Sequence, residues 1–117
     1  MKDKVSIIIP VFKNIHFLKK SLHSAVNQTY KNIEVIIIDD GNLKKDKKKI
    51  YDIRNRFRNK NIYIVSLKKN KGVSNALNEG IKKSKGNYIS WLSHDDYFHL
   101  QKTQLQIEFG TTWYLLL

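Results

Sequence analysis

Two pairs of adjacent aspartates each follow an apolar run in this sequence. Asp39 and Asp40 end "IEVIIIDD", and Asp95 and Asp96 follow "YISWLSH". Two carboxylates about 4 Å apart repel by about 4 kcal/mol at an effective dielectric near 20, so they need a cation, a donor or a shared proton. Carboxylate oxygens suit Mg²⁺ or Mn²⁺, which take further ligands from water and phosphates. Metal-assisted chemistry on a phosphorylated substrate is one interpretation; the other is that Ser93, Asp95 or Asp96 only caps a following turn or helix.

The elements that must position these acids alternate between strands and helices. Near-continuous runs rich in Ile and Val predict parallel strands covered on both faces. The predicted strands are residues 5–12, 33–39, 61–67 and 87–92. Apolar residues at helical spacing predict a helix in each connection. The helical stripes are Ile15, Leu18, Leu22, Ala25 and Val26; Ile50, Ile53 and Phe57, within residues 45–58; and Val73, Ala76, Leu77 and Ile81. We expect Asn14 to cap the first helix and Gly86 to end the third in a left-handed conformation.

This alternation predicts the α/β class, with a Rossmann-like parallel sheet and helices on both of its faces, because parallel neighbours need right-handed crossovers. Ligands of such sheets bind beyond the carboxyl ends of the strands. The first strand ends at residues 10–13, the second at 39–40 and the fourth at 93–96. We therefore expect both acid pairs at one edge of the sheet.

Length and composition predict one modest domain. The chain has 117 residues, of which 41% are apolar, and it contains no cysteine, which excludes disulfides and thiolate metal sites. The apolar run Val5 to Ile9 is far shorter than the core of a signal peptide and is followed by Pro10. No run approaches the ~20 apolar residues of a membrane span. We expect a cytoplasmic protein that is soluble or at most peripheral to the inner face of the membrane.

The positive charge is concentrated in one region. Residues 44–71 carry twelve Lys and Arg against Asp46 and Asp52, a net of +10 out of +12 for the whole chain. A solvated helix face and loop explains this run, and the alternative is a non-catalytic basic module that binds polyanions. The aromatic residues are not interleaved with the basic ones and no base-reading motif is present, so nucleic acid is not an expected partner.

Four consecutive blocks resemble the family 2 glycosyltransferases, which have the GT-A fold. They are "VSIIIPVFKN", "NQTYKNIEVIIIDDGN", "NKGVSNALNEGIKKSKG" and "NYISWLSHDD", and together they cover about residues 4–98. The resemblance implies an inverting transfer of a hexose from a nucleotide sugar, most often a UDP-sugar, to a saccharide or lipid-linked acceptor. For bacterial members it implies a role in surface polysaccharide or lipopolysaccharide synthesis.

The resemblance also implies roles for individual residues. Pro10, Val11 and Phe12 would flank the base and ribose, and Asp39 and Asp40 would hydrogen-bond the base. The complete implied nucleotide-sugar set is Pro10, Val11, Phe12, Asp39, Asp40, Asn75, Asn78 and His94, and the implied metal ligands for Mn²⁺ or Mg²⁺ are Asp95 and Asp96. The metal would neutralise the diphosphate leaving group. Asn78 could equally be an ordinary polar helix position.

Three departures from the family pattern affect these roles. Ser93 stands where an aspartate is frequent, and this departure bears on the metal site rather than on the donor site. Leu77 replaces an arginine, so a positive charge near the phosphates would have to come from elsewhere; Lys71 is one candidate, although a solvated surface lysine is the simpler reading. The family's usual Ser-Thr-Asp after the acid pair is replaced here by "GNLK", which bears on the base contact.

The resemblance fades beyond Phe98, so we expect a donor-binding domain over residues 1–98 and a divergent tail over 99–117. The apolar end, Trp113 to Leu117, is typical of a segment buried by further sequence or a partner. The acceptor half and its general base are expected to be missing, which predicts that the chain is inactive unless another polypeptide supplies them. Histidine is the most frequent general base in enzymes, but the neighbours of His94 place it on the leaving-group side, so the catalytic residue is unknown.

A receiver domain is a further alternative, because it is also an α/β chain with an Mg²⁺-binding acid pair at a strand end. Its acid pair follows the first strand, and an acid follows the third. Here the first strand ends in Pro10 and Val11, and the third ends in "VSLKKN". The positions of the acids therefore argue against this class.

Overall fold

The fold is an α/β sheet with helices on both faces, in a computed structural model that describes residues 3–57, 61–109 and 115–116. The elements in chain order are β1 (Val5–Val11), a 3₁₀ turn (Ile15–Phe17), α1 (Leu18–Val26), β2 (Ile33–Asp40), α2 (Lys44–Asn55), β3 (Ile62–Leu67), α3 (Val73–Lys83), β4 (Tyr88–Trp91), α4 (Lys102–Phe109) and β5 (Leu115–Leu116). All pairings are parallel, and the strand order is β3-β2-β1-β4-β5. The predicted strands and the predicted class are confirmed.

The strand order defines where the sheet changes direction. The chain moves outward from β1 through β2 to β3, then crosses over to β4 on the other side of β1. The crevice between the carboxyl ends of β1 and β4 is therefore the switch point at which open parallel sheets bind ligands.

The helices bury both faces of the central strands, which explains the apolar runs of β1 and β2. Leu18 and Leu22 of α1 and Ile50 of α2 pack on one face, together with residues such as Ile7 and Ile37. On the opposite face Ala76 of α3 packs against Ile8, Ile36 and Ile38. Each fully buried aliphatic side chain contributes about 1.5–3 kcal/mol, so this two-sided core fixes the sheet that carries the site.

Two predicted helix ends are wrong. Asn14 makes no capping hydrogen bond, because it lies in a left-handed conformation with φ 49°. α3 ends at Lys83, and its following residue Ser84 is extended. Gly86 is instead required by close packing: a Cβ there would lie 2.5 Å from Ser6 Oγ and 2.7 Å from Ser6 N, on the adjacent β1.

The segment after β4 holds an element that the sequence reasoning did not predict. α4 runs over residues predicted to be a divergent tail, and Lys102 Nζ lies 4.2 Å from the centre of the Phe98 ring. Of the predicted apolar end, Trp113, Tyr114 and Leu117 lie outside the described residues, and Leu115–Leu116 forms β5 beside β4. Within the described ranges, every helix is too short or too polar to cross a lipid bilayer.

Candidate functional site

A pocket of about 310 Å³ lies at the switch point, where the carboxyl ends of β1 and β4 meet the start of α3. Its size is at the lower end of the range for small-molecule sites. It is lined by Pro10, Val11, Phe12, Asp40, Asn70, Gly72, Val73, Trp91, Ser93 and His94. The sheet therefore brings together five of the residues that the resemblance implied for nucleotide-sugar binding: Pro10, Val11, Phe12, Asp40 and His94.

The two aspartates at the end of β2 point to opposite faces of the sheet, because side chains alternate along a strand. Asp39 lies on the face that packs against α1 and α2, whereas Asp40 shares the other face with Ile38. The repulsion expected between them is avoided, and each carboxylate has its own set of donors. Asp40 lines the pocket; Asp39 lies behind it.

Asp39 is a fully buried anchor for the end of the strand. Its Oδ1 accepts hydrogen bonds from the backbone N–H of Asn42 at 3.1 Å and from Asn42 Nδ2 at 2.7 Å, and Lys47 Nζ lies 3.1 Å from its Oδ2. Burial acts to raise the pKa of Asp39, but hydrogen bonds from Asn42, Lys47 and Ser66 outweigh it and hold the pKa below its usual value. Asp39 is therefore ionised at neutral pH, with Oδ1 hydrogen-bonded by Asn42 and Oδ2 in an ion pair with Lys47.

Asp40 holds the loop that leads into α3. Its Oδ2 accepts from Asn70 Nδ2 at 2.9 Å and from the backbone N–H of Gly72 at 3.2 Å, and its Oδ1 accepts from the backbone N–H of Lys71 at 3.1 Å. A carboxylate has about four acceptor positions. These three hydrogen bonds therefore leave about one position of Asp40 for a ligand donor.

Asn42 was not among the predicted site residues, yet it joins the ends of β1 and β2. Its Nδ2 donates to Val11 O at 2.8 Å, and its Oδ1 accepts from the backbone N–H of Lys13 at 2.7 Å. Lys13 and Asn14 are the non-glycine residues with positive φ in the described part of the chain, so this amide holds the turn after Phe12 in an unusual shape. The sequence indication was an Asn directly after Asp-Asp-Gly, since such residues bond to nearby backbone.

Two ring nitrogens of pocket residues have no hydrogen-bond partner within the described residues. They are Trp91 Nε1 and His94 Nε2, and both atoms are buried. Buried polar atoms in native structures nearly always have a partner, so these two nitrogens have unmet hydrogen-bonding capacity. Trp91, Asn70 and Gly72 are pocket residues that the sequence reasoning missed.

Asp95 and Asp96 lie in an exposed turn that directly follows the pocket residue His94. Asp95 Oδ1 accepts from Ser93 Oγ at 2.6 Å, and Asp96 Oδ1 accepts from the backbone N–H of Tyr97 at 2.8 Å. The pKa of Asp95 is lowered, mainly by the hydrogen bond from Ser93. Slight burial acts to raise this pKa, and the electrostatic effect of His94 lowers it further. Among the described residues, no group of three or more His, Asp and Glu side chains could hold a metal ion.

Asn75 and Asn78 are on α3 and do not line the pocket. Asn75 is half-buried in the first turn of the helix, and Asn78 is exposed one turn further on. Lys71 is exposed, with its backbone N–H bonded to Asp40.

A larger cleft of about 560 Å³ lies between the 3₁₀ turn and α2. Its lining mixes the cations Lys19, Lys49 and Arg56 with Asp46 and Asp52. The smaller pocket is the stronger candidate, because it sits at the switch point and contains the unpartnered ring nitrogens.

The sequence profile described as "Glycosyl transferase family 2" matches residues 6–110. The chain belongs to glycosyl transferase family 2. The predicted resemblance is thereby confirmed.

Curated relatives in glycosyl transferase family 2 are considerably longer than this chain. An uncharacterized glycosyltransferase of Rickettsia typhi is 45% identical over 103 residues, which are 88% of this chain and 30% of the relative. WfaP of Escherichia coli, a UDP-Glc:α-D-GlcNAc-diphosphoundecaprenol β-1,3-glucosyltransferase, is 37% identical over 110 residues, 94% of this chain and 42% of the relative. The chain thus spans less than half the length of these proteins.

Solved glycosyltransferase structures share the fold. Residues 1–349 of S. aureus TarS in complex with UDP-GlcNAc superpose with a TM-score of 0.79 at 21% identity, over 93% of this chain and 31% of that TarS chain. PcManGT, a mannosyltransferase of Pyrobaculum calidifontis in complex with GDP-Man and Mn²⁺, superposes with a TM-score of 0.79 at 16% identity, over 89% of this chain and 31% of that chain. The predicted GT-A fold is confirmed.

Proposed function

We propose that this chain is the donor-binding part of a glycosyltransferase that uses a UDP-sugar with Mn²⁺ or Mg²⁺. The hexose would pass, with inversion, to a saccharide or lipid-linked acceptor in bacterial surface polysaccharide or lipopolysaccharide synthesis. Family membership supports the reaction class. The UDP-GlcNAc bound to TarS and the diphosphoundecaprenol acceptor in the name of WfaP support the donor and acceptor classes.

The observation that carries this proposal is the pocket at the switch point. Phe12, about one-third exposed at the pocket wall, offers a ring on which a base can stack, and Pro10 lies beside it. The remaining acceptor position of Asp40 suits the N–H of a uracil. The unpartnered nitrogens of Trp91 and His94 can interact with ribose or phosphate oxygens.

The diphosphate would lie between the start of α3 and the acidic turn. Gly72 and Val73 line the pocket, so the positive end of the α3 dipole faces it. Asp95 and Asp96 would hold the metal, since Mg²⁺ and Mn²⁺ commonly use one or two carboxylates and take the other ligands from water and phosphates. The exposure of both carboxylates fits this use. When bound, the metal supplies Lewis-acid neutralisation of the leaving diphosphate.

We propose that Asn75 and Asn78 belong to the part of the chain that closes over the bound donor. Asn75 lies in the first turn of α3, near the pocket residue Val73. Asn78 is one turn further along and would reach only a ligand that extends beyond the pocket. Lys71 precedes the same helix and would supply the positive charge that Leu77 lacks.

The general base and the acceptor contacts would come from polypeptide outside the described residues. Asp40 is the carboxylate that lines the described pocket, and its three hydrogen bonds to the α3 loop leave it poorly placed to take a proton. A partner polypeptide or a longer form of the chain would supply the base on the sugar face opposite the leaving group.

The test is calorimetric titration of the purified chain with UDP and with GDP, each with and without Mn²⁺. We compare wild type with Asp95→Ala/Asp96→Ala, and use Asp46→Ala/Asp52→Ala on α2 as a control with the same change in net charge. We expect UDP to bind more tightly with Mn²⁺ than without it. This gain in affinity should be lost in Asp95→Ala/Asp96→Ala and kept in the control variant. A folded chain that binds no nucleoside diphosphate would refute the proposal.

We also propose that α2 contacts an anionic membrane surface. Lys44, Lys45 and Lys48 are exposed beside the apolar residues Leu43 and Tyr51, of which Leu43 is 69% exposed. Basic side chains around exposed apolar ones are typical of interfacial helices. α2 starts four residues after Asp40, so this contact would bring the donor site near a lipid-linked acceptor.

Co-sedimentation with vesicles tests the membrane contact, with about 30% phosphatidylserine compared with pure phosphatidylcholine. Each lysine near an anionic surface contributes about 1 kcal/mol, so Lys44→Gln/Lys45→Gln should weaken binding by roughly 30-fold. Lys83→Gln/Lys85→Gln, at the other end of the sheet, is the control and should change little. Equal loss in both variants would refute the assignment to α2. Salt-sensitive DNA binding that survives Asp95→Ala/Asp96→Ala would favour the non-catalytic basic module instead.

A further inference from the structure

α1 has two different buried stripes. The apolar stripe, with Leu18 and Leu22, packs on the sheet. A second stripe is polar: Ser21 and Ser24 are buried on α1, and Gln28, two residues beyond the helix, is fully buried. We call Ser21, Ser24 and Gln28 the polar stripe.

The polar stripe is bonded to the main chain of the segment that carries the acidic turn. Ser21 Oγ lies 2.6 Å from His94 O and also contacts Asp96 O, so its single proton can be shared between the two carbonyls that flank Asp95. Ser24 Oγ accepts from the backbone N–H of Phe98 at 2.9 Å.

Gln28 continues the same pattern further along the segment. Its Nε2 donates to His99 O at 2.8 Å, and its Oε1 accepts from the backbone N–H of Thr103 at 3.0 Å. The backbone N–H of Thr29 donates to Leu100 O at 2.9 Å. Residues 94–103 are thus held against α1 and the residues directly after it by buried and partly buried hydrogen bonds, rather than by apolar packing alone.

The carboxylates of Asp95 and Asp96 have no such support of their own. Their hydrogen bonds are local, from Ser93 Oγ and from the backbone N–H of Tyr97, and both side chains are exposed. The position of these carboxylates relative to the sheet is therefore set through the backbone of the turn.

We propose that the polar stripe is a positioning device that sets the acidic turn against the donor pocket, with Ser21 as its principal residue. This inference rests on the proposed function, because positioning matters when Asp95 and Asp96 engage a metal–diphosphate. Groups that orient metal ligands typically change metal affinity by roughly 10-fold to 100-fold when removed. Ser21 touches neither substrate nor metal and acts through the turn.

The matched control is Ser6, a second fully buried serine, at the other end of the sheet. Its Oγ donates to Glu34 Oε2 at 2.5 Å and accepts from the backbone N–H of Gly86 at 2.8 Å. Ser6→Ala removes a buried hydroxyl and loses stability without touching the acidic turn. A loss of stability alone therefore affects both variants, whereas a loss of positioning affects only Ser21→Ala.

The binding experiment measures UDP affinity with and without Mn²⁺ for wild type, Ser21→Ala and Ser6→Ala, all shown to be folded by circular dichroism. We expect Ser21→Ala to weaken UDP binding by at least roughly 10-fold with Mn²⁺ and to leave metal-free binding unchanged. Ser6→Ala should leave both unchanged. If Ser21→Ala and Ser6→Ala behave alike, the positioning role is overturned.

A second measurement does not depend on ligand binding. Amide hydrogen exchange of Ser24→Ala should be faster by about fivefold to tenfold at Phe98, whose N–H loses its acceptor, with little change in α3. If wild type binds no UDP but this local change occurs, the proposed function fails while the anchoring of the turn stands. Unchanged exchange at Phe98 would overturn the anchoring itself, whatever the binding result.

Discussion

Replacing Asn42 by alanine should destabilise the protein far more than loss of one surface amide would. The side chain is buried and makes three hydrogen bonds: Nδ2 to Val11 O at 2.8 Å, Nδ2 to Asp39 Oδ1 at 2.7 Å, and Oδ1 from the N–H of Lys13 at 2.7 Å. Neutral hydrogen bonds contribute about 0.5–1.5 kcal/mol each, and those to charged groups about 1.5–3 kcal/mol. The expected loss is about 3–5 kcal/mol, a large part of a typical domain stability.

The pH dependence of this loss identifies its cause. Because the pKa of Asp39 is lowered in the folded state, its ionised form contributes stability that is present above the unfolded pKa, about 3.9. That contribution disappears as the pH falls through the folded pKa. Asn42→Ala removes the side-chain hydrogen bond that lowers the pKa of Asp39, so the difference between wild type and variant should be largest at pH 7 and shrink in acid.

Urea unfolding followed by circular dichroism measures both effects, from pH 7 to the lowest pH at which wild type is folded. Asn55→Ala, an exposed position on α2, is the control and should change the free energy of unfolding by less than about 0.5 kcal/mol. A loss below about 1 kcal/mol for Asn42→Ala, or a loss that is the same at every pH, would refute the role of Asn42 in joining β1, β2 and Asp39.

Two further predictions concern backbone crowding and a partly buried amine. Gly41→Ala should lower stability by more than Gly72→Ala, although both positions have positive φ. A Cβ on Gly41 would lie 2.1 Å from Asn70 N, whereas a Cβ on Gly72 would have no heavy atom within 4 Å. Equal losses of the free energy of unfolding in urea would show that φ alone matters. Burial lowers the pKa of Lys102 to about 8, so the unfolded chain holds more protons and stability should rise with pH between about 8 and 10.4. Lys102→Met should remove that part of the slope, and an unchanged slope would contradict the assignment.

Local sequence patterns were sufficient to predict β1 to β4 and the helices that connect them, but not α4 or β5. Runs such as "VSIIIPV" can only be buried when both faces are covered, and that constraint already implies a parallel sheet with helices on each side. The rule that ligands bind at carboxyl ends then brought Pro10, Phe12, Asp40 and His94 to one edge, where the structure has its pocket. These inferences succeed because they depend on periodicity and chain direction alone.

Contacts between residues distant in the sequence were decided only by the tertiary structure. Asp39 and Asp40 look like a pair in the sequence, but they bind Asn42 and Lys47 on one face and the α3 loop on the other. The polar stripe of α1 pairs with backbone more than seventy residues away. The sequence shows that a serine can donate or accept a hydrogen bond. Which backbone group it binds depends on how the helices and the sheet pack.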